Sequence, residues 1–186
     1  FNSNIITTHG STGYGIYMTS NVFNNTIYNN NITTSGTNGF GIRLSTTVYN
    51  NSVYDNTIAT RGSQGYGIVL DKIVYTNSIY NNNITTYNIT SYGIYLTNYV
   101  FNNTISNNNI TTRNTTKSYG VHLILNVTNN TFYRNTISSL AAGILINGSG
   151  GPQSYSSNNR FINDTIISCT TGCADNYYDI VLTANV

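Results

Sequence analysis

The chain has 186 residues, of which seven are Lys or Arg and five are Asp, with no Glu, so a formal charge of +2 is spread over a sequence only 6% charged. Charge this thin excludes the basic patch of a nucleic-acid partner and the polybasic footprint of a membrane surface. No apolar run reaches the roughly 18 residues of a membrane-spanning helix, and Phe1 opens inside a repeat without a leader, which reads as a mature or trimmed chain.

In chain order the apolar residues fall at Ile6, at the Gly15-Ile16 step and at Ile27, and these three features return along the sequence. The first column continues through Ile32, Ile58, Ile84, Ile110 and Ile137, and the third runs Val53, Ile79, Ile105, Phe132 and Phe161. The glycine step recurs at Gly41, Gly67, Gly93, Gly120 and Gly143, with spacings of 26, 26, 26, 27 and 23 residues. Self-similarity at such a period marks a solenoid, in which each unit buries its apolar face only against its neighbours. Within a unit the apolar residues alternate, as at Ile42 and Leu44, Ile68 and Leu70, or Ile94 and Leu96, the period of a strand with one buried face. Arg43, Val69, Tyr95 and His122 are thereby predicted to point outward.

Two Asn columns lie two residues before inward apolar positions and so share their side of the strand. One is Asn25, Asn51, Asn77, Asn103, Asn130 and Asn159; the other is Asn4, Asn30, Asn56, Asn82, Asn108 and Asn135. Amides stacked about 4.8 Å apart can hydrogen-bond along the axis and satisfy buried polar groups at the corners. Turn preference explains the abundance of Asn but not its register. Aromatic columns at Tyr14, Phe40, Tyr66, Tyr92 and Tyr119, and at Phe23, Tyr49, Tyr75 and Phe101, are predicted to stack coil on coil; a sugar- or ligand-binding strip is the other reading.

Stretches such as GIYMTSNVFNNTIYNNNITT and GIYLTNYVFNNTISNNNITT resemble the NosD-type repeats of carbohydrate-binding and sugar-hydrolase proteins, over residues 1–147 and again more weakly over 158–186. The resemblance implies a right-handed, single-stranded parallel β-helix of six to seven coils, each of about 26 residues with three short strands. The family includes polysaccharide lyases and hydrolases, adhesins and accessory proteins, so the fold alone selects no function. The chain is expected to be a single β-helix domain over 1–186, with regular coils at 1–147, a loop insertion at 148–157 and an irregular last coil at 158–186.

Cys169 and Cys173 lie close enough in SCTTGCAD for a small disulfide in an oxidising exterior, with free thiols the other state. Twelve Asn-X-Ser/Thr triplets offer N-glycosylation, at Asn24, Asn31, Asn50, Asn83, Asn88, Asn102, Asn109, Asn114, Asn126, Asn129, Asn147 and Asn163. Their number says little, since random placement of 34 Asn and 47 Ser or Thr already gives about nine. Their position says more, because Asn24, Asn50, Asn102 and Asn129, and likewise Asn31, Asn83 and Asn109, are predicted to face outward.

Glycan chemistry on this fold needs gathered carboxylates, a cation site, or a Lys or Arg base. Asp55, Asp71, Asp164, Asp175 and Asp179 fall in different columns, and Asp55 lies about three coils, roughly 14 Å, from Arg134 in its own column. His122 and His9 read as surface residues, and Gly148-Ser149-Gly150-Gly151-Pro152 lacks the Lys and helix of a phosphate loop. No catalytic residue, metal site or cofactor is therefore expected, and the chain is not expected to be an enzyme. Residues Asp179 to Val186 match Gly93 to Val100, and Phe1 to Ile5 resemble the segment that follows, Phe101 to Ile105. That continuity suggests head-to-tail stacking of copies, or a piece of a longer β-helical adhesin. The expectation is an extracellular or cell-surface structural protein, a glycosylated filament or sheath subunit whose partner is itself, without nucleic acid or membrane span. A polysaccharide-binding or polysaccharide-degrading module is the alternative.

Overall fold

The computed structural model describes residues 1–148, 155–168 and 179–183. One coil shows the plan: Ile42–Ser45, Val48–Tyr49, Ser52–Tyr54 and Thr57–Thr60 follow one another, and each pairs in parallel with its counterpart 26 residues on. Repetition builds four sheets, here numbered in that order, of seven, five, six and seven strands. Ile42, Leu44, Val48, Val53 and Ile58 point inward from one coil and are at most 1% exposed. Counterparts such as Ile68, Leu70, Val74, Ile79 and Ile84 stack on them in register. Predicted and observed inward columns coincide.

The sequence predicts three strands per coil, and the structure has four. The added one is the two-residue strand Val48–Tyr49, with Val22–Phe23, Val74–Tyr75, Val100–Phe101 and Val127–Thr128 above and below it. It is set off from Ile42–Ser45 by two successive left-handed residues, Thr46 (φ 61°) and Thr47 (φ 64°). Two residues are too few to display alternation.

The remaining corners explain the doubled Asn. Asn50 (φ 54°) and Asn102 (φ 57°) occupy the left-handed region, which Asn tolerates better than most residues, and the next residue, Asn51 or Asn103, turns inward. Asn56 shows what an inward amide does. Its Nδ2 donates to Ile27 O (3.1 Å), Tyr54 O (2.9 Å) and Asn82 Oδ1 (2.9 Å), while its Oδ1 accepts from Asn30 N (3.0 Å) and Asn30 Nδ2 (2.9 Å). Carbonyls and N–H groups that the bend takes out of the sheet are thus paired away from water, as buried backbone requires. One ladder runs from Asn4 through Asn135 to Asp164, and the other from Asn25 through Asn130 to Asn159.

Past Asn147, the strands Arg160–Ile162, Thr165–Ser168 and Ile180–Thr183 continue the third, fourth and first sheets. Most of the predicted 148–157 insertion, together with Cys169, Cys173 and Asp175, lies outside the described residues.

Candidate functional site

The outer face of the first sheet concentrates the groups that could do chemistry. Its middle column reads Tyr17, Arg43, Val69, Tyr95, His122 and Leu145 in register. These side chains leave the core as predicted, but the face is not bare: Val69 is 3% and His122 6% exposed. The column Tyr14, Phe40, Tyr66, Tyr92, Tyr119 folds over it, with neighbouring rings 4.7–5.5 Å apart and within 16° of parallel. His122 meets Tyr92 edge-on at 4.7 Å and Tyr119 at 5.6 Å. The surface reading of His122 is therefore corrected, because an aromatic layer outside the sheet buries what alternation turns outward.

Burial, which disfavours the charged ring, pushes His122 down to about 4 from an ordinary value of 6.5. Its Nε2 lies 3.4 Å from Asn147 Nδ2, and its Nδ1 has no hydrogen-bond partner among the described residues. Above pH 6.5 the ring is neutral in folded and unfolded chains alike. Between 6.5 and about 4 the unfolded chain takes up the proton first, so stability falls with pH and levels off below about 4. At 1.36 kcal/mol per pH unit the total is about 3 kcal/mol. Urea unfolding across that window is expected to show the loss, and His122→Phe is expected to remove it. An unchanged pH slope in the variant would place the titration elsewhere.

Lower on the same face Arg43 Nη2 meets Asp71 Oδ2 at 2.7 Å. The Arg43 guanidinium lies 5.4–5.7 Å from the centres of the Tyr14, Tyr17 and Phe40 rings, and its Nη1 donates to the Tyr14 hydroxyl at 3.0 Å. Asp71, 5% exposed, also accepts from Asn98 Nδ2 at 3.0 Å. Sequence reasoning missed this pair because it is diagonal, joining neighbouring columns on adjacent coils rather than one column. Asp71 and His122 are not hydrogen-bonded to each other. Burial pushes the Tyr66 hydroxyl up to about 12 and raises Tyr92 as well. The chemistry of this face is that of a second, outer core.

The other carboxylates among the described residues are scattered. Asp55 is exposed at a corner, Asp164 accepts from Asn135 as the last rung of its ladder, and Asp179 accepts from the Ser168 hydroxyl. His9 Nδ1 lies 2.8 Å from Ser35 Oγ. Among the described residues no three His, Cys, Asp or Glu side chains gather to hold a metal, and no helix is long and apolar enough to cross a membrane. Asn24, Asn31, Asn50, Asn83, Asn102, Asn109, Asn129 and Asn163 are exposed; Asn88, Asn114, Asn126 and Asn147 are half-buried.

Two further surfaces stand out. On the second and third sheets Phe23, Tyr49, Tyr75 and Phe101, and in parallel Tyr28, Tyr54 and Tyr80, stack at 4.7–5.2 Å. Stacking occupies the ring faces and leaves mainly edges to solvent, which disfavours the flat contact a sugar ring makes. On the fourth sheet the outward positions are Thr57, Ala59 and Arg61 in one coil, Asn83, Thr85 and Tyr87 in the next, and Asn109, Thr111 and Arg113 beyond. Register persists to the third column, since Arg61 N, Tyr87 N and Arg113 N bond Thr34 O, Thr60 O and Thr86 O. Arg61 Cζ lies 4.7 Å and Arg113 Cζ 5.5 Å from the centre of the Tyr87 ring.

The family model described as right handed beta helix region matches residues 1–137. No curated protein and no solved structure matches the chain.

Proposed function

We propose, from the premise that the chain belongs to the right-handed β-helix family, that it serves as an extracellular structural element, a glycosylated rod of the cell surface. The carrying observation is that its polar side chains are spent along the axis. Both Asn ladders pass through every coil from the first to the 158–168 segment, and the one ion pair among the described residues, Arg43–Asp71, also links neighbouring coils. The amide-to-amide bonds have a direction, each Asn donating to the amide of the next coil and accepting from that of the one before. The ladder that ends on Asn159 would continue in the same way into a second copy stacked head to tail, while the other ends on Asp164, whose side chain accepts but does not donate; head-to-tail joining is the finer form of the reading. The exposed corner residues Asn24, Asn50, Asn102 and Asn129 are the favoured glycan carriers. Antibody labelling of intact source cells, with intact-mass analysis of the native protein, tests this. Surface label and hexose-sized mass increments are expected; label confined to the cell interior would sink it. Electron microscopy is expected to show filaments, and isolated rods at high concentration would remove the head-to-tail form alone.

The Arg61–Tyr87–Arg113 column favours a second reading, a face that holds an acidic polysaccharide. Two exposed guanidiniums about 10 Å apart, two coils along the axis, have no carboxylate within salt-bridge distance among the described residues, and hydroxyls and amides flank them. Both ring faces of Tyr87 are approached by guanidiniums, so bases would find no stacking platform. Polygalacturonate is expected to bind weakly at low salt, and the double variant Arg61→Gln, Arg113→Gln to bind about tenfold more weakly. Equal weakening by the double variant Lys72→Gln, Arg134→Gln would reduce the effect to net charge.

A further inference from the structure

We propose that Tyr54 and Tyr80 form an oxidative cross-linking site, at which a one-electron oxidant joins the two rings carbon to carbon, ortho to their hydroxyls, and covalently staples adjacent coils. The geometry is prepared by the fold. Ser52–Tyr54 and Ser78–Tyr80 pair in register with Tyr54 opposite Tyr80, and the rings lie 4.7 Å apart at 8°. Near-parallel rings on directly paired residues bring their ortho edges side by side. Both side chains are half-exposed on the outer face of the third sheet, so an oxidant reaches the ring edges and the outer ends can tip together.

The step balances. Each phenol loses one electron and one proton to give a tyrosyl radical; the radicals couple through one new C–C bond; two ring hydrogens then shift to restore both phenols. Two electrons and two protons leave in all, taken by a peroxidase that reduces one hydrogen peroxide to two waters. Tyr49 and Tyr75, 5.0 Å apart at 4° on the second sheet, are a second pair of the same kind.

The structure also supplies an internal control. Tyr66 and Tyr92 stack equally closely, 4.7 Å at 9°, but in the layer over the first sheet, where Tyr92 is 8% exposed. Proximity is matched there and access is not.

The inference rests on the surface reading only for a source of oxidant, and its chemistry is tested without it. Dilute purified chain treated with peroxidase and peroxide is expected to stay monomeric, lose two hydrogens per link, and give a dityrosine peptide pair mapping to Tyr54 and Tyr80. Tyr80→Phe, which keeps the stack, is expected to abolish that pair with an unchanged urea midpoint before oxidation. Cross-links found only between chains, or a Tyr66–Tyr92 yield equal to that of Tyr54–Tyr80, would overturn the assignment. So would a treated protein with no linked pair.

Discussion

Replacing Asn82 with Ala is expected to lower the unfolding free energy by about 5 kcal/mol, among the largest losses a single substitution in this chain can cause. The size follows from what one amide holds. Asn82 Oδ1 accepts Asn56 N (3.1 Å) and Asn56 Nδ2 (2.9 Å), and its Nδ2 donates to Val53 O (2.9 Å), Tyr80 O (3.0 Å) and Asn108 Oδ1 (3.0 Å). The site is 1% exposed, so water does not replace the lost partners. Each stranded buried group costs about 1–3 kcal/mol, and relaxation keeps the sum below simple addition. Asn83→Ala, one residue on but outward and exposed, is expected to change stability by less than about 0.5 kcal/mol. Urea denaturation of both variants checks the contrast; equal small effects would mean the ladder carries little of the stability.

Gly67→Ala is expected to cost about 3 kcal/mol or more, for a steric rather than a polar reason. A Cβ at Gly67 would run into Ile84 Cγ2 and sit 2.5 Å from Gly93 O. The carbonyl belongs to the backbone of the next coil, and moving it would disturb the bonds from Gly67 N to Tyr92 O and from Ile68 N to Gly93 O. Gly10→Ala, where the nearest atoms would be 3.9 Å away, is expected to be nearly neutral. A soluble Gly67→Ala chain with the parent melting temperature would show that the coil edge is not closed as described.

These two sites also show how much the sequence disclosed. The glycine step is visible in the sequence as a period, but its cause is the close approach of one coil to the next, which spacing alone does not reveal. The inward Asn columns were legible outright, because an amide two residues before an inward Ile shares its side of the strand. The doubled Asn was legible only in part: the second residue is the rung, and the first is the left-handed corner. Val48–Tyr49 escaped because a two-residue strand shows no alternation, although Val22, Val48, Val74, Val100 and Val127 keep the period. For His122 the sequence indicates the side of the strand but not the environment, which is buried. Alternation reports which way a side chain leaves the strand, not what folds over it, and the covering rings enter from earlier in each coil. Arg43 and Asp71 show no sequence signal because their contact is diagonal, between neighbouring columns on adjacent coils.

Native-state hydrogen exchange tests most directly whether the ladders make the coils one rod. The amides of Asn51, Asn77 and Asn103, which donate to Asn77 Oδ1, Asn103 Oδ1 and Asn130 Oδ1 on successive coils, are expected to exchange with one common free energy equal to that of global unfolding, and Asn82→Ala is expected to lower all three together. Protection that steps down coil by coil, or a variant effect confined to the coils beside residue 82, would contradict it.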